Sequence, residues 1–160
     1  MKSLLVIGAG GHGQVVAETA QADGYEVSFL DDHAPHAIGT IHQFENLCSK
    51  FDAFFVAIGN NQLRRELLAG FLHVSCPLAT LIHPSAYISP SASIGQGTII
   101  CPMAIVNART IVGRGCIISA GSILDHDVMV YDFAHIDVGA ICSARTTVDG
   151  GVKINAGQRI

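Results

Sequence analysis

The sequence predicts two joined architectures: a small α/β unit with a parallel sheet over residues 1–78, then an all-β solenoid of stacked coils over residues 79–160. Three observations carry this expectation. Strand-like apolar runs alternate with stretches at helical spacing as far as Leu72. A glycine-rich turn follows the first of those runs. After Pro77 the helical signal stops and aliphatic residues recur every six positions.

In the first part, Ser3–Ile7 is a continuous apolar run ending in glycines, as a buried parallel strand does. Gln14–Ala22 carries Val15, Val16 and Thr19 at helical spacing. Glu26–Leu30 reads as a second strand and Ala53–Ile58 as a third. Asn61–Leu72 reads as a helix with Leu63, Leu67, Leu68 and Phe71 on one face. Alternation of this kind implies a β-α-β-α-β order around a parallel sheet, with a short fourth strand expected around Val74.

In the second part, fourteen positions from Ile82 to Ile160 stand six apart without a slip, and thirteen of them are aliphatic. The exception is Cys142, itself small and apolar. Residues four places after each are small from Ala86 to Val152; only Gln158 breaks that rule. A fixed short period means a hexapeptide β-helix in which three repeats make a triangular coil. Each residue then stacks on the residue eighteen later, and Ile82, Ile100, Ile118, Ile136 and Ile154 should form one interior ladder.

Composition narrows the function. The 160 residues carry nine Lys+Arg against thirteen Asp+Glu, a formal charge of −4, which argues against nucleic acid or an anionic membrane as partner. Only 14% of residues are charged and 49% are apolar, so part of the surface is expected to be buried in an oligomer. No apolar run approaches the ~20 residues a membrane helix needs. Five cysteines without a Cys-x-x-Cys suggest reduced thiols in a cytoplasmic protein rather than a disulfide framework or a zinc knuckle. Cys116 and Cys142 fall on core-type repeat positions and read as packing residues.

Gly8-Ala9-Gly10-Gly11-His12-Gly13 fits G-x-G-x-x-G directly after a strand and at the start of a helix. Glycines let the backbone approach a pyrophosphate while the helix N-terminus favours its charge, so a small Rossmann-like nucleotide site is expected; the alternative is a tight structural turn. Asp31 and Asp32 stand where a ribose- or base-binding acid belongs. About 75 residues supply one mononucleotide half rather than two, which suits a nucleotide-sugar better than a dinucleotide. His12 reads as a phosphate contact or as an exposed loop histidine. Gly59 and Asn60 lie at the same carboxyl edge and are candidate ligand contacts, with Asn61 expected to cap the following helix.

Three histidines lie in the repeat region. His83 precedes Pro84 and reads as a surface residue. His126 is flanked by Asp125 and Asp127, and a carboxylate that orients an imidazole makes a general base; the alternative is a solvated charged corner. His135 lies half a coil further on, so within one chain the two need not touch; across a trimer interface such a pair can line one cleft. No histidine pair stands five residues apart, as in the zinc hydratases built on such solenoids, so no metal is expected.

Taken together, Val6–Gly13, Phe29-Leu30-Asp31-Asp32, Val56–Asn61 with Arg64, Leu81–Ala86, Asp125-His126-Asp127 and Phe133-Ala134-His135-Ile136 resemble the sugar O- and N-acetyltransferases of the sialic-acid and bacillosamine type. The resemblance covers nearly the whole chain. It implies a left-handed β-helix, a homotrimer, acetyl-CoA as donor, and a UDP-linked amino sugar or a sialic acid as acceptor. It also implies His126 as catalytic base supported by Asp127, His135 lining the acetyl-CoA cleft, and the Ala144 N–H facing the thioester oxygen. Tyr131 stands where relatives usually carry glycine. The chain stops at Ile160 in mid-repeat, where relatives add coils that complete the CoA groove, so a naturally short or a truncated chain is expected. The leading reading is acetyl transfer to the amine of a UDP-linked amino sugar. The others are O-acetylation of sialic acid and a catalytically silent nucleotide-sugar-binding trimer.

Overall fold

The computed structural model describes residues 1–160. The first part is a three-stranded parallel sheet, β1 (Lys2–Ile7), β2 (Tyr25–Leu30) and β3 (Ala53–Val56), in the order β2-β1-β3. Helix α1 (Gly11–Ala22) begins three residues before the helical spacing does, because the glycines themselves form its first turn. Residues Ile41–Lys50, for which the sequence suggested no element, form a run of short turns around α2 (Phe44–Leu47). Helix α3 (Asn61–Phe71) follows β3. Its cap differs from expectation: the Asn60 side chain, not that of Asn61, accepts the Leu63 N–H at 2.9 Å.

The expected fourth strand around Val74 is absent. A single bridge from Leu78 to Phe54 takes its place, closed by Phe54 N–H to Pro77 O and Ala79 N–H to Phe54 O, both at 2.9 Å. Pro77 offers no N–H, so pairing on this side is confined to one bridge.

From Leu81 the chain forms thirteen two-residue strands arranged as three parallel sheets, the walls of a prism. Wall I stacks Leu81–Ile82, Ile99–Ile100, Ile117–Ile118, His135–Ile136 and Lys153–Ile154. Wall II stacks Tyr87–Ile88, Ile105–Val106, Ile123–Leu124 and Ile141–Cys142. Wall III stacks Ser93–Ile94, Ile111–Val112, Met129–Val130 and Thr147–Val148. Every register is eighteen residues, as the period of six requires. The second residue of each pair points inward, and Ile100, Ile118, Ile136 and Ile154 share one core with Val106, Leu124 and Val130.

Corners recur every six residues with positive φ, at Gly97, Met103, Arg109, Gly115, Gly121, Asp127, Phe133, Gly139, Arg145, Gly151 and Gly157. Five of these eleven are not glycine, and a left-handed residue with a side chain must be held there by its surroundings. The strained position in Tyr131's corner is therefore Phe133, two residues on, and its ring is buried among Leu5, Phe54 and Leu68 of the first part.

Wall I is the wall that meets the α/β unit. Leu81, Ile99 and Ile117 pack with Leu4, Val6, Val16 and Phe55 in one cluster. Arg64, only 1% exposed, reinforces the junction: Nε donates to Gly115 O at 2.7 Å and Nη2 to Phe133 O at 2.9 Å.

Candidate active site

Two groupings emerge, on different sides of the prism. The first is the corner between walls II and III. His126 Nδ1 lies 2.7 Å from Asp127 Oδ2, and an ionised carboxylate only accepts, so Nδ1 carries the hydrogen. That tautomer leaves the Nε2 lone pair free to take a proton. Asp127 is itself held by Arg109 from the coil before, Nε to Oδ1 at 2.7 Å and Nη2 to Oδ2 at 2.8 Å. The Arg109 guanidinium, and then His126, hold the Asp127 carboxyl well below the usual carboxylate range. Asp125 fixes the backbone instead, accepting the His126 N–H at 2.7 Å.

The eighteen-residue register stacks Ala144 directly on His126. The Arg145 N–H reaches back to His126 O at 3.1 Å, whereas the Ala144 N–H donates to no group in the chain. A free N–H one rung from an imidazole is an arrangement that can face a developing oxyanion.

The second grouping surrounds the glycine loop. Gly8 has φ +100° and lies so near Ala57 O that a side chain there would strike it at 2.8 Å. A methyl on Gly13 would collide with Gly8 O, so this glycine lets α1 approach the strand. Gly10, Gly11 and Gly59 face open space, as residues beside a ligand must. Asp31 braces the loop: one oxygen accepts the Ala9 N–H at 2.8 Å, the other the N–H groups of His33 and Ala34. These donors hold its carboxyl below its ordinary range. Asp32 accepts the Ile41 N–H at 3.0 Å. Asn60 has its Oδ1 in the α3 cap, with the rest of its amide exposed.

His12 and His135 approach each other across the junction of the two parts. Burial is the main reason each is pushed down to about 4, so both are neutral at pH 7. His12 Nε2 and His135 Nδ1 are buried without a partner, while His135 Nε2 lies 3.0 Å from Ser119 Oγ. His135 belongs to wall I and His126 to the opposite corner, so one chain does not bring them together. His83 lies on the surface and pairs only with Ser85, Nδ1 to Oγ at 2.8 Å.

Cys116 and Cys142 are fully buried, and burial raises each thiol to about 11, which suits packing rather than attack. No group of three or more His, Cys, Asp or Glu side chains is gathered so as to hold a metal. No helix is long and apolar enough to cross a membrane. Sequence reasoning missed the roles of Arg109 and Arg64. The eighteen-residue register places Arg109 over Asp127 and was the available signal for the first.

Residues 3–71 match the family model described as the PglD N-terminal domain. Across the whole chain, the acetyltransferase domain of PglB from Neisseria gonorrhoeae FA1090 is 37% identical, with a TM-score of 0.89 over 100% of this chain and 91% of that one. The chain belongs to the same acetyltransferase family as that PglB domain. That PglB domain has also been solved in complex with acetyl coenzyme A, at 36% identity, a TM-score of 0.88 and coverage of 99% and 92%. PerB from Caulobacter crescentus, in complex with CoA and GDP-perosamine, is 27% identical with a TM-score of 0.81, over 100% of this chain and 89% of that one. The UDP-N-acetylbacillosamine N-acetyltransferase of Bacillus subtilis (strain 168) is 34% identical over 110 residues, 61% of this chain. That match spans half the length of the Bacillus protein.

Proposed function

We propose that this chain transfers an acetyl group from acetyl-CoA to the amine of a UDP-linked amino sugar. The observation that carries the reading is the His126–Asp127 contact, which leaves Nε2 free one rung away from the unbonded Ala144 N–H. In the step this supports, the amine attacks the thioester carbonyl and gives its proton to His126 Nε2. The Ala144 N–H donates to the oxyanion, the C–S bond breaks, and the departing thiolate takes the proton back as the amide forms. No covalent enzyme intermediate is needed.

Residues 1–78 act as the nucleotide-sugar unit, with Gly8, Gly10, Gly11, His12 and Gly13 at the diphosphate and Asp31, Asp32, Gly59 and Asn60 along the same edge. Residues 79–160 act as the acyl-transfer unit, with His135 and Ala144 beside acetyl-CoA. The glycine loop sits on wall I and His126 on the opposite corner, so an acceptor held by one chain reaches the base of another. This supports a homotrimer with a shared cleft. Outward apolar columns on the other walls support it further: Tyr87, Ile105, Ile123 and Ile141 on wall II, and Ile111 with Met129 on wall III. The relatives bound to acetyl coenzyme A and to CoA with a nucleotide-linked amino sugar support the choice of substrates.

Thiol release from acetyl-CoA, followed with UDP-amino sugars and with sialic acids and checked by product mass, tests the reading. Turnover with sialic acid alone replaces N- by O-acetylation. Tight UDP-sugar binding without turnover leaves the silent binding trimer.

A further inference from the structure

Buried guanidinium groups ordinarily lie against carboxylates, because an isolated charge is costly away from water. Arg64 departs from this. All five of its hydrogen bonds go to neutral oxygens: Gly115 O, Phe133 O, Ile58 O, Gly59 O and Asn61 Oδ1. None of the chain's ion pairs includes it. The rings that feel its charge, His12 and His135, are neutral at pH 7, so the junction keeps an unopposed positive charge. That charge lies beside the glycine loop, since Arg64 holds the carbonyls of Ile58 and Gly59 and the preceding Ala57 O abuts Gly8.

We propose that Arg64 determines the ligand charge preferred at the glycine loop: without touching the ligand, it raises affinity for a diphosphate over the same nucleoside lacking phosphates. This rests on the nucleotide-sugar reading above. A buried charge acts through a low effective dielectric and is poorly screened by salt. Removing it should cost about tenfold in affinity for a doubly or triply charged ligand.

The test is titration calorimetry of the full chain with UDP, UMP and uridine at low and high salt, for wild type, Arg64→Gln and Arg64→Lys. Arg64→Gln should lose about tenfold for UDP, less for UMP and nothing for uridine, and the loss should persist at high salt. Equal loss for all three ligands, or no loss for UDP, overturns the proposal. Arg64→Lys keeps the charge at neutral pH, but a buried lysine deprotonates early. Its UDP affinity should fall between about pH 7 and about pH 8.5 while wild type stays level, and a parallel profile overturns the proposal even if Arg64→Gln fails to fold. A wild-type chain that does not bind UDP removes the UDP-sugar reading along with this one. A wild type that binds UDP as well as Arg64→Gln does removes only the role of Arg64.

Discussion

Arg109 closes a two-pronged ion pair on Asp127 across one coil of the prism, and the carboxylate so fixed is the one that orients His126. The orientation of the His126 ring therefore depends on a residue seventeen positions earlier in the chain. Removing His126 should be the most damaging change at this corner. His126→Ala is expected to lower kcat by about a hundredfold or more while leaving UDP binding unchanged, measured by thiol release and calorimetry. Unchanged turnover removes His126 as the base.

Arg109→Ala should be milder and should alter pH dependence. Arg109 is the main reason the Asp127 carboxyl is lowered, so its removal raises that carboxyl toward its ordinary value. A depressed carboxyl supports the site above its own pKa and fails as pH falls through it. The Asp127 carboxyl should therefore titrate at higher pH in the variant, followed by NMR of its side-chain carbon. A carboxyl titration left in place contradicts the role of Arg109.

His12 and His135 predict a pH-dependent stability. Their pKa values of about 4 in the fold lie below the unfolded value of 6.5, so the unfolded chain binds more protons between those limits. Stability should be complete above about pH 6.5 and fall as pH drops toward about 4. Thermal melts across that range should show a declining Tm, with the decline flattened in the His12→Gln, His135→Gln double variant.

The interior ladder sets a stability scale. Ile118 is fully buried at the centre of its column, between Ile100 and Ile136. Ile118→Ala should cost about 2–5 kcal/mol, read from denaturant midpoints.

Light scattering tests the shared cleft. Three copies of a 16.8 kDa chain give about 50 kDa, and Ile123→Asp on the outward column of wall II should lower the observed mass. A wild-type mass of a single chain contradicts the shared site.

Much of the fold is legible because each coil repeats the same physical demand. An inward aliphatic residue every six positions and a small residue near each corner recur until they outweigh local exceptions such as Cys142. The His126 corner is legible for a related reason, since the acids that flank it are its neighbours in sequence. Arg64 is not legible, because its partners Gly115 and Phe133 lie 51 and 69 residues away and the docking of two units decides them. The exchange of roles between Asn60 and Asn61 has the same origin. Asn61 is drawn off by the prism, its Nδ2 donating to Gly151 O at 2.9 Å, and Asn60 is left to cap the helix. Phe133 shows it again: the repeat asks for glycine at that corner, while its buried ring belongs to the other unit.

A three-sided column that has already given one side to its own leading segment has two sides left for company. Such a body can join others around a closed circle, but it cannot tile outward in every direction. The occupied wall thus withdraws one of the three faces from contact with other copies.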